Sequence, residues 1–306
     1  MNGLLWVRLQ QYRRLINVTN LWDRLARWLN APTTALPLIR ENILVNHNGR
    51  LEGKWQLSVK SFRSTLSQSD GSQVPSERSM CALTMGENVF VLLDDPGAPS
   101  RIEAENLTPL PTHYRNTFLT LSPPGALEHL LAQLKARWVS VRQSTAYTAP
   151  RTQAAGPQLL IDGHVFSIGT DWIVRIGNVV LSGGAVKGML LEAEYLPLPV
   201  LRSPLQDGTS ELLSNLLTSI LPNIRDAKTV AITISDSQWE DVLWNREEEE
   251  KKGKQSEEER MDKDDIYVYG DEEEDGKRQP RDWTGVDRDR RSAFLIMGAL
   301  RSEGIL

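Results

Sequence analysis

A chain of 306 residues, 40% hydrophobic and 25% charged, can bury a sizeable core as one large domain or two ordinary ones, and its composition excludes wholesale disorder. The net charge of −5 is unevenly spread: Arg246 to Arg290 holds 18 acidic and 11 basic residues against 22 and 24 elsewhere, so the remainder is near neutral and lacks the basic footprint of a nucleic-acid binder. The single cysteine, Cys81, excludes an internal disulfide or a multi-cysteine zinc site and fits a reducing compartment; no apolar run reaches the ~18 residues of a membrane-spanning helix.

Residues 1–32 read as an atypical N-terminal extension. Trp6, Leu9, Leu15, Leu21, Leu25, Trp28 and Leu29 recur at roughly helical spacing, with five arginines and no acid before Asp23. Such an Arg-rich, acid-poor start also matches a transit peptide. From residue 33 to 244 the pattern is that of a globular domain. Thr34 is placed to cap a helix running through Ile43, ended by Asn46 to Gly49. Trp55 to Phe62 alternates as a half-buried strand, and the polar stretch Ser64 to Ser79 reads as a surface loop. Met80 to Met85 and Val89 to Leu93 flank Gly86-Glu87-Asn88 as a hairpin, and Thr117 to Leu121 reads as a further short strand.

Pro123 to Arg142 carries the strongest helical stripe, Leu127, Leu130, Leu131, Leu134, Trp138 and Val141, with Ser122 as cap and proline in the first turn. Ala146 to Pro157 is a Thr/Ala/Pro-rich linker. Asp162 to Pro199 then reads as three strands broken at Gly169-Thr170-Asp171 and Ser182-Gly183-Gly184. Beyond it come a helix over Glu211 to Leu221, a strand over Thr229 to Ile234 and a short helix from Ser237 to Trp244. Residues 245–290 are acidic and of low complexity, predicted to be disordered, interrupted by Ile266-Tyr267-Val268-Tyr269. Residues 291–306 form a last helix that packs back on the domain, weakened at Gly298. Strands and one apolar helix recur in each half. The expected class is α+β, with a mostly antiparallel, curled sheet or incomplete β-barrel packed by helices.

Chemistry is sparse. The four histidines (His47, His113, His129, His164) lack metal-ligand spacing. Gly183 to Gly188 holds Lys187 but no Ser/Thr after it and leads into a strand, so it reads as a turn and not a phosphate loop. Asp162, His164 and Ser167 lie close in sequence without a nucleophile elbow. Glu192 and Glu194 alternate on one strand, where paired carboxylates could hold a hard cation in a tunnel-type triphosphatase. That reading is the alternative; against it stand the absence of a second carboxylate pair and only Arg175 on the preceding strand, which leave a solvated strand face as the simpler expectation. No catalytic, cofactor or metal residue is assigned, and no cofactor is expected. Trp55 and Trp172 are the tryptophans to watch for contact roles.

TALPLIRENI (residues 34–43), GKWQLSVKSFRS (53–64), SPPGALEHLLAQLKARW (122–138) and above all DWIVRIGNVVLSGGAVKGMLLEAEYLP (171–197) together resemble subunit 20 of the Mediator complex, of the fungal type. DDIYVYG (264–270) is similar to a short family element flanked here by acidic insertions. The resemblance runs from about Thr34 to Leu243 and resumes at the last helix. It implies an incomplete β-barrel with helices and a nuclear, non-enzymatic coactivator subunit. That subunit would pair with Mediator subunit 18 in the head module, contact RNA polymerase II machinery indirectly, and need neither direct nucleic acid nor a membrane. The family opens with a Gly/Val-rich strand that residues 1–30 do not match, so either this start belongs to a wrong gene model or the barrel lacks an edge strand. The same resemblance weakens the transit-peptide reading.

Overall fold

The computed structural model describes residues 23–64, 78–104, 111, 113–133, 138–140, 159–196, 211–221, 228–232, 242, 285–302 and 304–306. The polar loop after Ser64, the Thr/Ala/Pro linker, most of the Ser237–Trp244 helix and the acidic stretch up to residue 284 lie outside them.

Ten strands form one antiparallel sheet: β1 (Asp23–Leu29), β2 (Arg50–Ser64), β3 (Ser79–Met85), β4 (Asn88–Asp94), β5 (Asn116–Leu121), β6 (Trp138–Ser140), β7 (Leu159–Ile168), β8 (Trp172–Leu181), β9 (Val186–Tyr195) and β10 (Lys228–Ile232). Their order is β10-β1-β9-β8-β7-β2-β3-β4-β5, with β6 beside the far end of β2. Among the described residues five helices accompany them: α1 (Ala35–Asn46), α2 (Arg101–Ala104), α3 (Ala126–Gln133), α4 (Glu211–Ile220) and α5 (Val286–Ser302). The α+β class and the mostly antiparallel, unclosed sheet agree with expectation; a closed barrel does not form among the described residues, because β10 and β5 end the strand order and do not pair with each other.

A helix fills the interior that barrel closure would need. The inner face of the curled sheet gathers Leu25, Trp55, Leu57, Val59, Cys81, Leu83, Phe90, Phe118, Ile161 and Leu190 around Ala293, Leu295, Ile296, Met297, Ala299 and Leu300 of α5. This helix touches β1 and β10 on one flank and β3 and β4 on the other, so it joins flanks that no ladder connects. It begins at Val286, five residues before the expected start at residue 291, and runs through Gly298 to Ser302. Asp287 and Asp289 in its first turn suit the helix dipole.

Outside the sheet, α1 and α4 cover the β1-β9-β8-β7 flank, burying Ile39, Ile43, Leu217 and Ile220 against Trp28, Phe166, Val174, Ile176 and Met189. On the other flank α3 places Leu127 against Met80, Ala82, Val89 and Val91, and Lys60 on β2 pairs with its Glu128. Thr34 sits at the N-terminus of α1 as expected but in a helical conformation and without a side-chain cap bond.

Two local expectations fail. Residues 23–29, expected to continue an amphipathic helix in an extension, form β1, hydrogen-bonded between β9 and β10. The long helix expected to Arg142 does not reach that far: α3 is described over Ala126–Gln133, and Trp138–Ser140 pairs with β2 instead. Ser122 does not cap it; its hydroxyl donates to the Glu87 carbonyl.

The sheet bends where Gly163 of β7 faces Gly177 of β8. A Cβ on Gly163 would lie 1.8 Å from the Ile176 carbonyl oxygen, so only hydrogen fits. Trp55, opposite Gly163 on β2, lays its indole over Gly177, 3.1 Å from where a Cβ would be.

Candidate functional site

Signature residues of the β7-β8-β9 meander are partners of one another. Trp172 and Tyr195 stand opposite in register, with ring centroids 4.7 Å apart. The Leu196 N–H donates to the Asp171 carbonyl at 2.7 Å, closing the same end. Arg175 faces Glu192 and splits its fork: Nη1 donates to Glu192 Oε2 and Nη2 to Glu194 Oε2, each at 3.0 Å. A planar guanidinium can serve two carboxylates two residues apart on one strand because both point to the same face of the pleat.

That face is not solvated. Glu192 is 1% and Glu194 4% exposed, since α5 covers them, and Arg288 of α5 approaches Glu194 Oε1 at 3.8 Å. The expectation of a solvated strand face is corrected: β9 is buried on both sides, by α5 within and by α1 and α4 outside. Arg27 of β1, opposite Leu190, shares the inner face, and desolvation lowers its guanidinium pKa from the ordinary value.

As chemistry this arrangement pairs its carboxylates with arginine and not with a cation site. Two carboxylates meet Arg175 directly, with Arg288 close by, and no group of three or more metal-capable side chains forms among the described residues. A hard cation needs about six oxygen ligands, which Glu192 and Glu194 cannot supply while Arg175 fills the space between them. Glu192 Oε1 is left without a hydrogen bond among the described residues.

The other sequence candidates disperse. Asp162 accepts from Gln56 Nε2 at 3.1 Å, Ser167 donates to Glu52 Oε1 at 2.6 Å, and His164 lies beside Phe166; no triad assembles. Gly183 and Gly184 form the β8–β9 turn, with Gly184 N–H donating to the Leu181 carbonyl, and Lys187 is exposed. Trp55 is core, and Trp172 is half-buried against Tyr195.

Sequence reasoning missed a second buried charge. Asp95, 1% exposed, accepts from Arg78 Nε at 2.7 Å and from the Gly97 N–H at 3.0 Å, with His113 Nε2 at 2.8 Å. It ties the turn after β4 to the start of β5. The Asp-Pro-Gly signal at residues 95–97 points to such an Asx turn.

A family model described as the TATA-binding related factor of subunit 20 of the Mediator complex matches residues 38–242. No curated protein matches. Solved structures with some likeness include the PH1819 protein of Pyrococcus horikoshii OT3, 10% identical, covering 67% of this chain and 91% of that one at a TM-score of 0.29. A Mimivirus capping-enzyme triphosphatase is 8% identical, covering 72% and 96% at 0.24. At these scores neither bears on function. The family match spans two thirds of the chain, from within α1 to beyond β10, and takes in the whole cross-paired meander: the chain belongs to the family of subunit 20 of the Mediator complex.

Proposed function

We propose that this protein is a non-enzymatic subunit of the Mediator head module that pairs with subunit 18 and supports RNA polymerase II transcription in the nucleus. The observation that carries this reading is that Arg175, Glu192 and Glu194, the strongest chemical candidates, are buried and paired with one another, with Glu192 Oε1 accepting no hydrogen bond among the described residues. The motif that marks the family thus ties β8 to β9 with charged side chains closed to solvent. Exposed apolar side chains such as Leu38 and Val45 on α1 and Val139 on β6 offer surface for protein contacts.

Co-expression with subunit 18 and a pull-down at moderate salt tests the pairing; recovery of the two chains in equal amounts is expected, and failure to co-purify counts against it. Clean protein incubated with a nucleoside triphosphate and Mg²⁺ or Mn²⁺ is expected to release no phosphate. Turnover that disappears in Glu192→Gln would overturn the non-enzymatic reading.

A further inference from the structure

Asn-Gly is the dipeptide in which no Cβ shields an asparagine side chain from the next backbone nitrogen, and it occurs at residues 2–3 and 48–49. Of the two, Asn48-Gly49 lies among the described residues, in the turn that joins α1 to β2, with Asn48 exposed. The fold requires both residue types there. Asn48 has φ +50°, a left-handed conformation that asparagine tolerates better than most side chains. A Cβ on Gly49 would lie 2.4 Å from Ile43 Cγ2 and 3.0 Å from the Ile43 carbonyl oxygen. Ile43 is fully buried, so residue 49 has no room for a side chain.

The chemistry open to such a pair is deamidation. The Gly49 backbone nitrogen gives its proton to water and attacks the Asn48 side-chain carbonyl carbon. The bond from that carbon to the amide nitrogen breaks, and ammonia leaves with a proton returned from water. A second water opens the five-membered succinimide at one or other carbonyl, leaving aspartate or isoaspartate. No oxidant or reductant is needed.

In the folded chain the first step is blocked. The Gly49 N–H donates to the Ile43 carbonyl at 2.8 Å, so the nucleophile is held in a hydrogen bond and turned back toward α1. That end of α1 is in turn fastened to α4. Asn42 Nδ2 donates to the Ser219 and Ile220 carbonyls at 3.0 and 2.7 Å, and His47 Nε2 lies 3.3 Å from the Ser219 carbonyl oxygen. Asn46 Nδ2 donates to Asn42 Oδ1 at 2.7 Å and steadies it. These contacts set how often the last turn of α1 opens and frees the Gly49 nitrogen. The product acts in the opposite sense. A carboxylate at residue 48 would stand at the C-terminal end of α1, where the helix dipole favours cations. Isoaspartate would also add a main-chain carbon between α1 and β2, drawing the Gly49 N–H away from Ile43.

We propose that Asn48-Gly49 is a deamidation site gated by the docking of α1 on α4, and that its product releases the end of α1. The proposal does not depend on the pairing with subunit 18. In the test, full-length protein is incubated at about 37 °C and neutral pH, folded or unfolded by urea. The peptide containing residue 48 is followed by mass spectrometry for the added mass unit and for isoaspartate. Folded protein is expected to convert at least about tenfold more slowly than unfolded protein, and folded Asn42→Ala at least about threefold faster than the folded parent. Asn48→Gly keeps the left-handed turn and removes the reacting amide, so it should leave hydrogen exchange of the Gly49 amide unchanged. Asn48→Asp makes the aspartate product directly and should speed that exchange at least about threefold, while β7 to β9 stay as they are.

Equal conversion in folded and unfolded protein overturns the gate, and no conversion in urea overturns the site itself. Asn42→Ala converting at the parent's rate overturns the part given to α4. Asn48→Asp with unchanged exchange at Gly49 overturns the release of α1.

Discussion

The two flanks of the sheet solve the same problem with different materials. Both curl around α5 and both carry outer helices, yet the β1-β9-β8-β7 flank presents Arg27, Arg175, Glu192 and Glu194 to the helix. The β2-β3-β4-β5 flank presents Cys81, Leu83, Phe90, Leu92 and Phe118. There Phe118 stacks at 6.2 Å on Phe90 and meets Phe294 of α5 edge-on at 5.6 Å. An apolar contact is tolerant of small shifts, whereas a forked guanidinium bridging two buried carboxylates accepts one register only. We read the charged flank as fixing the position of β9 and the N-terminal turn of α5, and the aromatic flank as supplying most of the cohesion.

That contrast can be broken in several ways. The largest effect is expected at the bend of the charged flank: Gly163→Ala drives a Cβ into backbone 1.8 Å away, and loss of about 4 kcal/mol or more is expected, read as a collapse of the urea midpoint or as insoluble protein. Next, Arg175→Ala strands two buried carboxylates and should cost about 3–5 kcal/mol. The triple change Arg175→Leu, Glu192→Leu, Glu194→Leu should recover most of that loss in urea titrations, with looser register seen as faster amide exchange in β9.

On the aromatic flank, Phe90→Ala should cost about 3–5 kcal/mol through its cavity, with no rescue by charge changes. Cys81 beside it gives a pH test. Burial pushes its thiol from the usual value of 9.0 up to about 12. The folded state therefore holds the proton where the unfolded state releases it, so this contribution is complete below about 9 and is lost as pH rises toward 12. Denaturation followed from pH 8 to 11 should show a decline that Cys81→Ala removes. The smallest effect is expected outside the sheet, where Lys60→Ala breaks a partly exposed pair with Glu128 at about 0.2–1 kcal/mol.

The sequence was most readable where turn glycines bracket an apolar or β-branched run. The β3–β4 hairpin and the β7-β8-β9 meander appear at nearly their observed bounds because Gly86, Gly169 and Gly183-Gly184 mark their turns, although β3, β4 and β9 are buried on both faces. β1 lacks such glycines: Leu25, Ala26, Arg27 and Trp28 are all buried, so no period of two survives and the apolar spacing mimics a helix. Glu192 and Glu194 misled in the same way, since alternating carboxylates look solvated until α5, about a hundred residues further on, is placed over them. The stripe after Leu127 failed because Trp138 serves β6 in the same apolar cluster as α3, so two elements share one pattern. Of the candidate site, the residues were legible; that they answer one another was not, because cross-strand register is a property of the folded sheet.

The position of α5 has a consequence for synthesis. Its apolar residues fill a trough whose walls are complete once β10 has emerged at Ile232, yet α5 begins 54 residues later at Val286. At the ~5–20 residues per second of translation, the nascent sheet exposes its inner face for about 3–10 s before its own filling arrives. During that interval the chain is a client for chaperones, and a ribosome-bound fragment ending near residue 240 should be captured by them while one extended past residue 302 and clear of the exit tunnel should not.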